Sequence, residues 1–484
     1  MAMGKRKGKD RQPSMWIATQ DLPRSAAHPF YARLNRILEQ NRFDDYVEEQ
    51  CSPFYAPTKG RPSLAPGRYF RLLMLGYFEE IESERGIAWR AADSLSVRAF
   101  LGLELEEAPP DHSTISRTRR LIDLETHRAV FTWILERLSQ AGLVNGETVG
   151  VDATTLEANA ALRSIVRRDS GETYEAFLMR LAQASGIATP TREDLARLDR
   201  KRPNKGSNDD WTHPHDPDAR ITKMKDGRTH LAHKAEHTVD LKTGAVVAVT
   251  IQPADQGDTE TIKETLTTAA ENLETVKPAS EVVRELVADK GYHSNELLKD
   301  LRVLGIRTYI SEPARGRRNW RDDSDARDAV YANRRRIRAS RGRRLLRQRG
   351  ECLERPFAHG YETGGLRRVY LRGRVNILKR VLIHFAALNL GLLMRVLVGV
   401  GTPRSLQGRL WALFSRLLIL WRRLTNLYLS RWCASTTRQA ILILTRLSYV
   451  ANSRCLSETI SPRAASTSSL QHRQGGCGHA FAFH

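Results

Sequence analysis

Cysteine is scarce in this chain: five in 484 residues, Cys51, Cys352, Cys433, Cys455 and Cys477, with no C-x-x-C pair among them. That scatter excludes a disulfide framework and a cysteine zinc site, and it suits a reducing compartment. No G-x-x-x-x-G-K-[ST] run occurs, so an ATP-driven motor has no phosphate loop to rest on. Long uninterrupted apolar runs are missing as well. The most apolar stretches, 384–402 and 410–421, are broken by Arg395 and Arg416 and fall short of the roughly 20 residues of a clean span, so no membrane crossing is expected. Residues 1–13 are basic and polar with no apolar run behind them, unlike a secretory signal.

Acidic residues are also in deficit. Lys and Arg number 77 against 55 Asp and Glu, a formal charge of +22, which predicts a polyanionic partner, nucleic acid before membrane. Hydrophobic residues make up 41%, close to a globular norm once glycine is added, which excludes wholesale disorder.

Between 28 and 143 the apolar residues recur at three and four, as in FYARLNRILEQ and HRAVFTWILERLSQAGL, and predict helices. Asp111 and Ser113, after a Pro pair and before TISRTRRLI, read as a capped helix start with basic residues on one face. Contact with DNA through that helix and a merely solvated basic face are both open at this point. The period then changes. ETVGVDATTLEA reads as a strand; HLAHKAEHTVDL and AVVAVTIQPA read as two more, joined as a hairpin at KTG. There follow a helix over 259–273, a strand in VRELVADKGY, a helix over 294–304, a strand in IRTYIS, and one long helical pattern from about 343 to 398. An antiparallel start followed by alternating strand and helix predicts a mixed α/β sheet with helices on its faces.

Two segments interrupt that order. Residues 163–226 form a polar insertion that begins with helical stretches and ends in the loop-like RKRPNKGSNDDWTHPHDPD. Residues 315–349 hold 14 arginines against four aspartates, a density that favours phosphate contact over a flexible surface loop. After Arg404 come two Leu- and Ile-rich helical stretches and a low-complexity end.

Charge attracts DNA but does no chemistry, so the acids matter more. Asp152 lies in mid-strand in VGVDATT, where an acid is disfavoured unless it faces a functional cleft. Asp289 ends the strand ELVAD, the edge at which open α/β sheets place their ligands. Glu354 lies near the start of the last long helix, in RGECLERPFAH, with Glu351 one turn before it as a rival. Each has a plain alternative: a hydrogen-bonded strand residue, a helix N-cap, a solvated surface acid. If the first strand is central and the fourth lies beside it, the three acids converge. Three carboxylates suit the hard cations Mg²⁺ or Mn²⁺, and two such ions about 3.5–4 Å apart serve phosphodiester displacement. Other acids and imidazoles read as structural: His213, His215, Asp216 and Asp218 as a turned loop, Asp240 as turn chemistry, Asp255 and Asp258 as caps. His230 falls on the opposite strand face from His233 and His237, so these three do not form a zinc triad.

VGVDATTLEANAALRSIVRR, VADKGYHSNELL, RGECLERPFAHGYETGGLRRVYLRG and NILKRVLIHFAALNLGLLMR resemble the DDE transposases of bacterial insertion sequences over roughly 61–404. The resemblance implies a ribonuclease H-like mixed sheet flanked by helices. Around it stand an all-α DNA-binding part at 28–143 and a helical extension at 405–484, with residues 1–27 a basic flexible start and 144–404 the catalytic core. It implies Asp152, Asp289 and Glu354 as the metal-binding catalytic triad, Glu354 being preferred over Glu351 because Phe357 follows it by three residues. It implies Mg²⁺ or Mn²⁺ as cofactor, the element's terminal inverted repeats and target DNA as partners, a homodimer or larger assembly on paired ends, and a bacterial, cytoplasmic, nucleoid-associated protein. Many relatives carry Tyr and Arg seven and four residues before the Glu and Lys seven after; here those positions hold Arg347, Gly350 and Tyr361. Candidate phosphate ligands are therefore Arg347, Arg349 and Arg355, with Arg334, Arg335 and Arg336 in the basic segment. Two other readings stand beside strand transfer: a metal-dependent nuclease of the same fold, and a DNA-binding copy with a decayed site.

Phosphate contact by so many arginines predicts that DNA affinity falls steeply between low and moderate salt in a filter-binding or anisotropy titration; an affinity that hardly changes contradicts the electrostatic reading.

Overall fold

The computed structural model describes residues 29–404 apart from 57–62, 203–205, 225–226, 279–282, 315, 317–319 and 321–322, all within one compact unit, Met1–Gln407. The basic start and the extension after 404 lie outside the described residues.

Among the described residues seven α-helices come first: α1 (Pro29–Gln40), α2 (Phe43–Cys51), α3 (Pro66–Phe78), α4 (Glu84–Asp93), α5 (Leu95–Phe100), α6 (His112–Leu121) and α7 (Leu124–Gln140). Their starts are written in the sequence. Ser83, Ser94, Asp111 and Asp123 each accept a hydrogen bond from a backbone N–H of the helix that follows, satisfying a donor that has no partner within the helix. α1 buries Phe30, Leu34 and Leu38 on one stripe.

The sheet is built around β1 (Thr148–Glu157). On one edge β1 pairs antiparallel with β5 (Thr229–Asp240), which is continued outward by β6 (Val246–Pro253) and, along the remainder of the same edge, β4 (Arg220–Lys223). On its other edge β1 runs parallel to β7 (Glu285–Ala288), and β7 parallel to β8 (Arg307–Ile310). The first strand is thus central with the fourth core strand beside it, the arrangement that convergence of the acids requires. Helices α10 (Asp258–Val276) and α11 (Asn295–Val303) join the later strands, followed by α12 (Ser324–Arg338), α13 (Ser340–Phe357) and α14 (Arg374–Val398).

The insertion folds on itself. It carries α8 (Tyr174–Ala184), α9 (Arg192–Lys201) and a two-stranded ribbon of β2 (Val166–Arg167) with β3 (Trp211–Thr212). Trp211, Ile165, Ile221 and Leu231 make a small core of their own, with Tyr174 and Phe177 against the Trp211 ring. The stretch read as a loop therefore includes a strand, because one buried tryptophan outweighs its Pro and Gly content.

Two further expectations are corrected. The single helical pattern from 343 to 398 is α13, a π-helical turn at Ala358–Thr363, an irregular segment and then α14. Gly365 and Gly373 hold φ of +73 and +81 in that segment, which ends helical geometry. Residues 324–338, inside the arginine-rich run, are helical too. The second correction concerns membrane length. α14 has 25 residues and contains an 18-residue window of mean hydropathy 2.0, long and apolar enough to span a bilayer, yet 67% of that window is buried inside the protein.

What buries α14 is the N-terminal helical block. The Lys379 ammonium donates to the Arg119 and Ile122 carbonyls at the end of α6, and the buried Arg380 guanidinium donates to the Leu73 and Ile81 carbonyls. Lys379 thus satisfies carbonyls at the end of α6, and Arg380 one carbonyl within α3 and one in the turn after it. Gly76 is needed there, because a Cβ would collide with the Arg380 guanidinium.

Burial also fixes the charge of three histidines. It pushes His127 and His237 down to about 3 and His384 well below its ordinary value. The folded chain keeps them neutral while the unfolded chain protonates them below about 6.5, so stability is full above that pH and is lost as pH falls toward 3, by up to about 1.4 kcal/mol per pH unit for each. Thermal unfolding followed from pH 7 to pH 4 should show a falling midpoint, and a flat profile contradicts this assignment.

Candidate active site

The parallel register of β1 and β7 ends at the pair Val151 and Ala288, so Asp152 and Asp289 are the next residue on each strand and stand side by side at the sheet edge. The Asp289 carboxylate makes no capping bond to the turn Lys290–Tyr292 that follows, which removes the plain reading of it as an N-cap. That turn is instead tied down from behind. The Tyr292 hydroxyl donates to Glu236 Oε1 at 2.8 Å, and Gly291 lies so close to Asp258 that a Cβ would strike its carboxylate. Glu236 is buried among Thr261, Thr265 and Tyr292, and that burial raises its pKa. Asp258 pairs with Lys234 Nζ at 2.6 Å and Asp255 with Arg220 at 3.6 Å; neither caps α10, whose N-cap is Gly257.

Between the two aspartates lies one guanidinium. Arg349 Nη2 donates to Asp152 Oδ2 at 3.1 Å, and Nη1 lies 3.9 Å from Asp289 Oδ1. Its Nε is buried with no hydrogen-bond partner. A second acceptor on Asp152, Oδ1, takes the Ala153 N–H at 2.9 Å. A half-buried pair of carboxylates thus converges on a single positive charge, and its donors are all oxygen, the set that hard divalent cations select. The two aspartates fit such an ion.

The third acid is placed differently. α13 turns Leu345, Leu353 and Pro356 inward, with Leu353 against the bare backbone of Gly150. At 100° per residue, Glu354 stands about 140° around the helix from Arg349, and both Glu354 and Glu351 are exposed. Among the described residues no group of three or more His, Cys, Asp or Glu is gathered as a metal site. Asp216, read as part of a loop, accepts from the Gly373 N–H and contacts His233, while Asp218 accepts from the Arg374 N–H. They fasten the insertion to the start of α14. Asp240 accepts the Asn145, Gly146 and Lys242 N–H groups, as turn chemistry predicts.

The arginines of the basic segment fall into two sets. Arg334 makes a two-bond pair with Glu312, Arg336 donates to the Thr308 carbonyl and hydroxyl, and Arg349 bridges the aspartates. Arg335, Arg347 and Arg355 are exposed. One residue near the site carried no sequence signal of its own: Arg367 Nη1 donates to Thr154 Oγ1 at 3.2 Å, two residues along the same strand face as Asp152.

Residues 19–121 match the family described as a transposase domain (DUF772), and residues 208–390 match the transposase DDE domain. Asp289 and Glu354 lie inside the second match, and Asp152 precedes it. No curated protein matches the chain. Two solved structures are similar to it at 11% identity. A Mos1 transposase paired-end complex with the left transposon end covers 64% of this chain and 82% of its own, with a TM-score of 0.17. A Mos1 mariner paired-end complex with Mn covers 70% and 98%, with a TM-score of 0.18. At those TM-scores neither describes this fold.

Removing the bridging charge leaves two carboxylates facing each other. Arg349→Met should lower stability by roughly 1–3 kcal/mol, between an exposed and a fully buried pair, and millimolar Mn²⁺ should restore more of the thermal midpoint in the variant than it adds to the unmutated chain. An unchanged midpoint in the variant contradicts the bridge.

Proposed function

The chain belongs to the DDE transposases of insertion sequences and acts on DNA, and from that premise we propose that Asp152, Asp289 and Glu354 are its catalytic acids. The observation that carries the proposal is the meeting of Asp152 and Asp289 at the ends of adjacent parallel strands, joined through Arg349. The strand order β5-β1-β7-β8, with β6 and β4 on the outer edge of β5, supports a ribonuclease H-like core in which the first strand is central and β5 runs antiparallel to it.

Asp152 and Asp289 would hold the divalent cation, Mg²⁺ or Mn²⁺, whose chemistry is to activate an oxygen nucleophile and to stabilise the leaving 3′ oxygen of a phosphodiester. Their placement on strands keeps the two carboxylates fixed. The guanidinium of Arg349 neutralises them until a cation arrives, and is then free to meet a phosphate oxygen. Glu354 would be the third acid by the family resemblance alone, since it stands exposed on the outer face of α13. Arg335, Arg347 and Arg355, exposed and uncommitted to a tight pair, would position DNA without reading bases. The helical block at 28–143 would bind the terminal inverted repeats, in a homodimer or larger assembly on paired ends in the bacterial cytoplasm.

The reaction is two displacements at phosphorus: water attacks at the element's end and releases a 3′-OH, which then attacks target DNA. A nuclease stops after the first. A plasmid carrying the DNA that flanks this gene should yield joined product with Mg²⁺ and none with chelator. Asp289→Asn should lose more than about 100-fold in joining, since even residues behind a metal ligand cost 10–100-fold. Cleavage without joining identifies a nuclease; tight DNA binding with no metal-dependent product from the unmutated chain identifies an inactive DNA-binding copy.

A further inference from the structure

A second cluster of positive charge lies on α13, away from the aspartates. Gln348, Cys352 and Arg355 follow one another at four and three residues, and His359 continues the stripe into the π-helical turn. At 100° per residue Arg355 stands about 120° around the helix from Arg349, so the two guanidinium groups serve different surfaces. The stripe faces the turn between β5 and β6 and the second half of α14, and a cavity of about 230 Å³ lies among them.

The floor of that cavity is apolar and fixed. Leu241, Leu388, Leu392, Tyr77 and Pro356 line it, and Gln348 Nε2 donates to the Leu241 carbonyl at 2.6 Å, which anchors the turn to α13. The rim is cationic. Lys242 comes from the turn, Arg355 from α13 and Arg395 from α14, with His359 close to both arginines. Burial pushes the His359 imidazole below its ordinary pKa, and the charges of Arg395 and Arg355 push it the same way against a smaller opposite pull from Glu80, which is itself paired with Arg404.

No carboxylate lines this cavity. Among the described residues Lys242, Arg355 and Arg395 have no ion pair, and Glu351, one turn before Arg355, makes none with it. Other cavities differ: the one between α10 and α11 sets Lys263 against Asp300 at 2.7 Å, and the one beside α4 includes Glu82 and Glu84. Three cations that converge from three elements on one hollow repel each other, and an anion placed there relieves the repulsion. In a chain that acts on DNA that anion is a phosphodiester. Two guanidinium groups and an ammonium are the donors that phosphate oxygens take, and the apolar floor suits the sugar beside it.

Lys242 follows His237, the residue opposite Asp152, by five positions, which at about 3.3 Å per residue is up to about 17 Å along β5. A phosphate held here is therefore not the one that reacts. We propose that Lys242, Arg355 and Arg395 form a phosphate site at the β5–β6 turn, which holds the DNA backbone at a fixed distance from the aspartates. The site rests on the transposase reading and deepens it, because it sets where along the bound DNA the reacting phosphate falls.

Binding measured in chelator separates this site from catalysis. A fluorescent duplex from the DNA that flanks this gene is made as a set, each member carrying one uncharged methylphosphonate at a different backbone position. For the unmutated chain the sensitive positions should weaken binding by about ten-fold, the scale of a hydrogen bond to a charged group. Arg395→Gln and Lys242→Gln should each lose a similar factor on the plain duplex, with a shallower salt dependence, and should lose nothing further at one or two of those positions. Lys263→Gln, which removes the same charge from α10 on the other face of the sheet, should leave the loss at those positions intact. Losses that simply multiply at every position, or no loss in either variant, overturn the site. So does inorganic phosphate that raises the thermal midpoint of the unmutated chain but not of Arg395→Gln while no DNA position is coupled to either variant, a result that assigns the cavity to free phosphate. Each of these leaves the transposase reading standing; failure of the unmutated chain to bind the duplex at all overturns both.

Discussion

Two carboxylates at the ends of neighbouring parallel strands repel each other, and the sheet tolerates them only with a positive charge between. Arg349 supplies that charge. The helix that carries it is held to the sheet at both ends. Near its start, Arg341 pairs with the buried Glu285 of β7, which also accepts from Thr148 and Tyr309. Near its end, Leu353 sits on the glycine that precedes Asp152 by two residues, and Phe357 packs on His237, the residue opposite Asp152 on β5. The pairing that keeps the aspartates compatible with a folded sheet therefore also fixes where α13 lies, and with it which acids face out.

The helical block and the sheet share one continuous hydrophobic core through α14. An apolar helix buried this deeply is normally free of charge. Here Lys379 and Arg380 are tolerated because each donates to backbone carbonyls of the helical block, so their burial is compensated by hydrogen bonds. α14 thus joins the helical block to the sheet that carries the aspartate pair, and the segment just before it, 364–373, meets β1 at Glu157.

The strands of the core were legible because alternation is a period-two signal that no helix imitates, and because KTG forces a hairpin. Asp152 and Asp289 were legible for the opposite reason: an acid in mid-strand and an acid at a strand end break the pattern. The α13–α14 break was not, since apolar spacing continues across Gly364–Gly373 and only backbone geometry at Gly365 and Gly373 ends the helix. Nor was Arg349. In a run this rich in arginine every residue looks alike, and which one reaches the aspartates is decided by how α13 docks. The same docking leaves both Glu354 and Glu351 on the outer face, so neither is singled out by burial.

The central claim is that Asp152 and Asp289 together hold a divalent cation in the place Arg349 occupies without one. Mn²⁺ titration of the full chain, read by electron paramagnetic resonance of free and bound ion, tests it without any substrate. Saturable binding that is lost in Asp152→Asn and in Asp289→Asn, and strengthened in Arg349→Met, is the predicted result; binding indifferent to all three substitutions contradicts it.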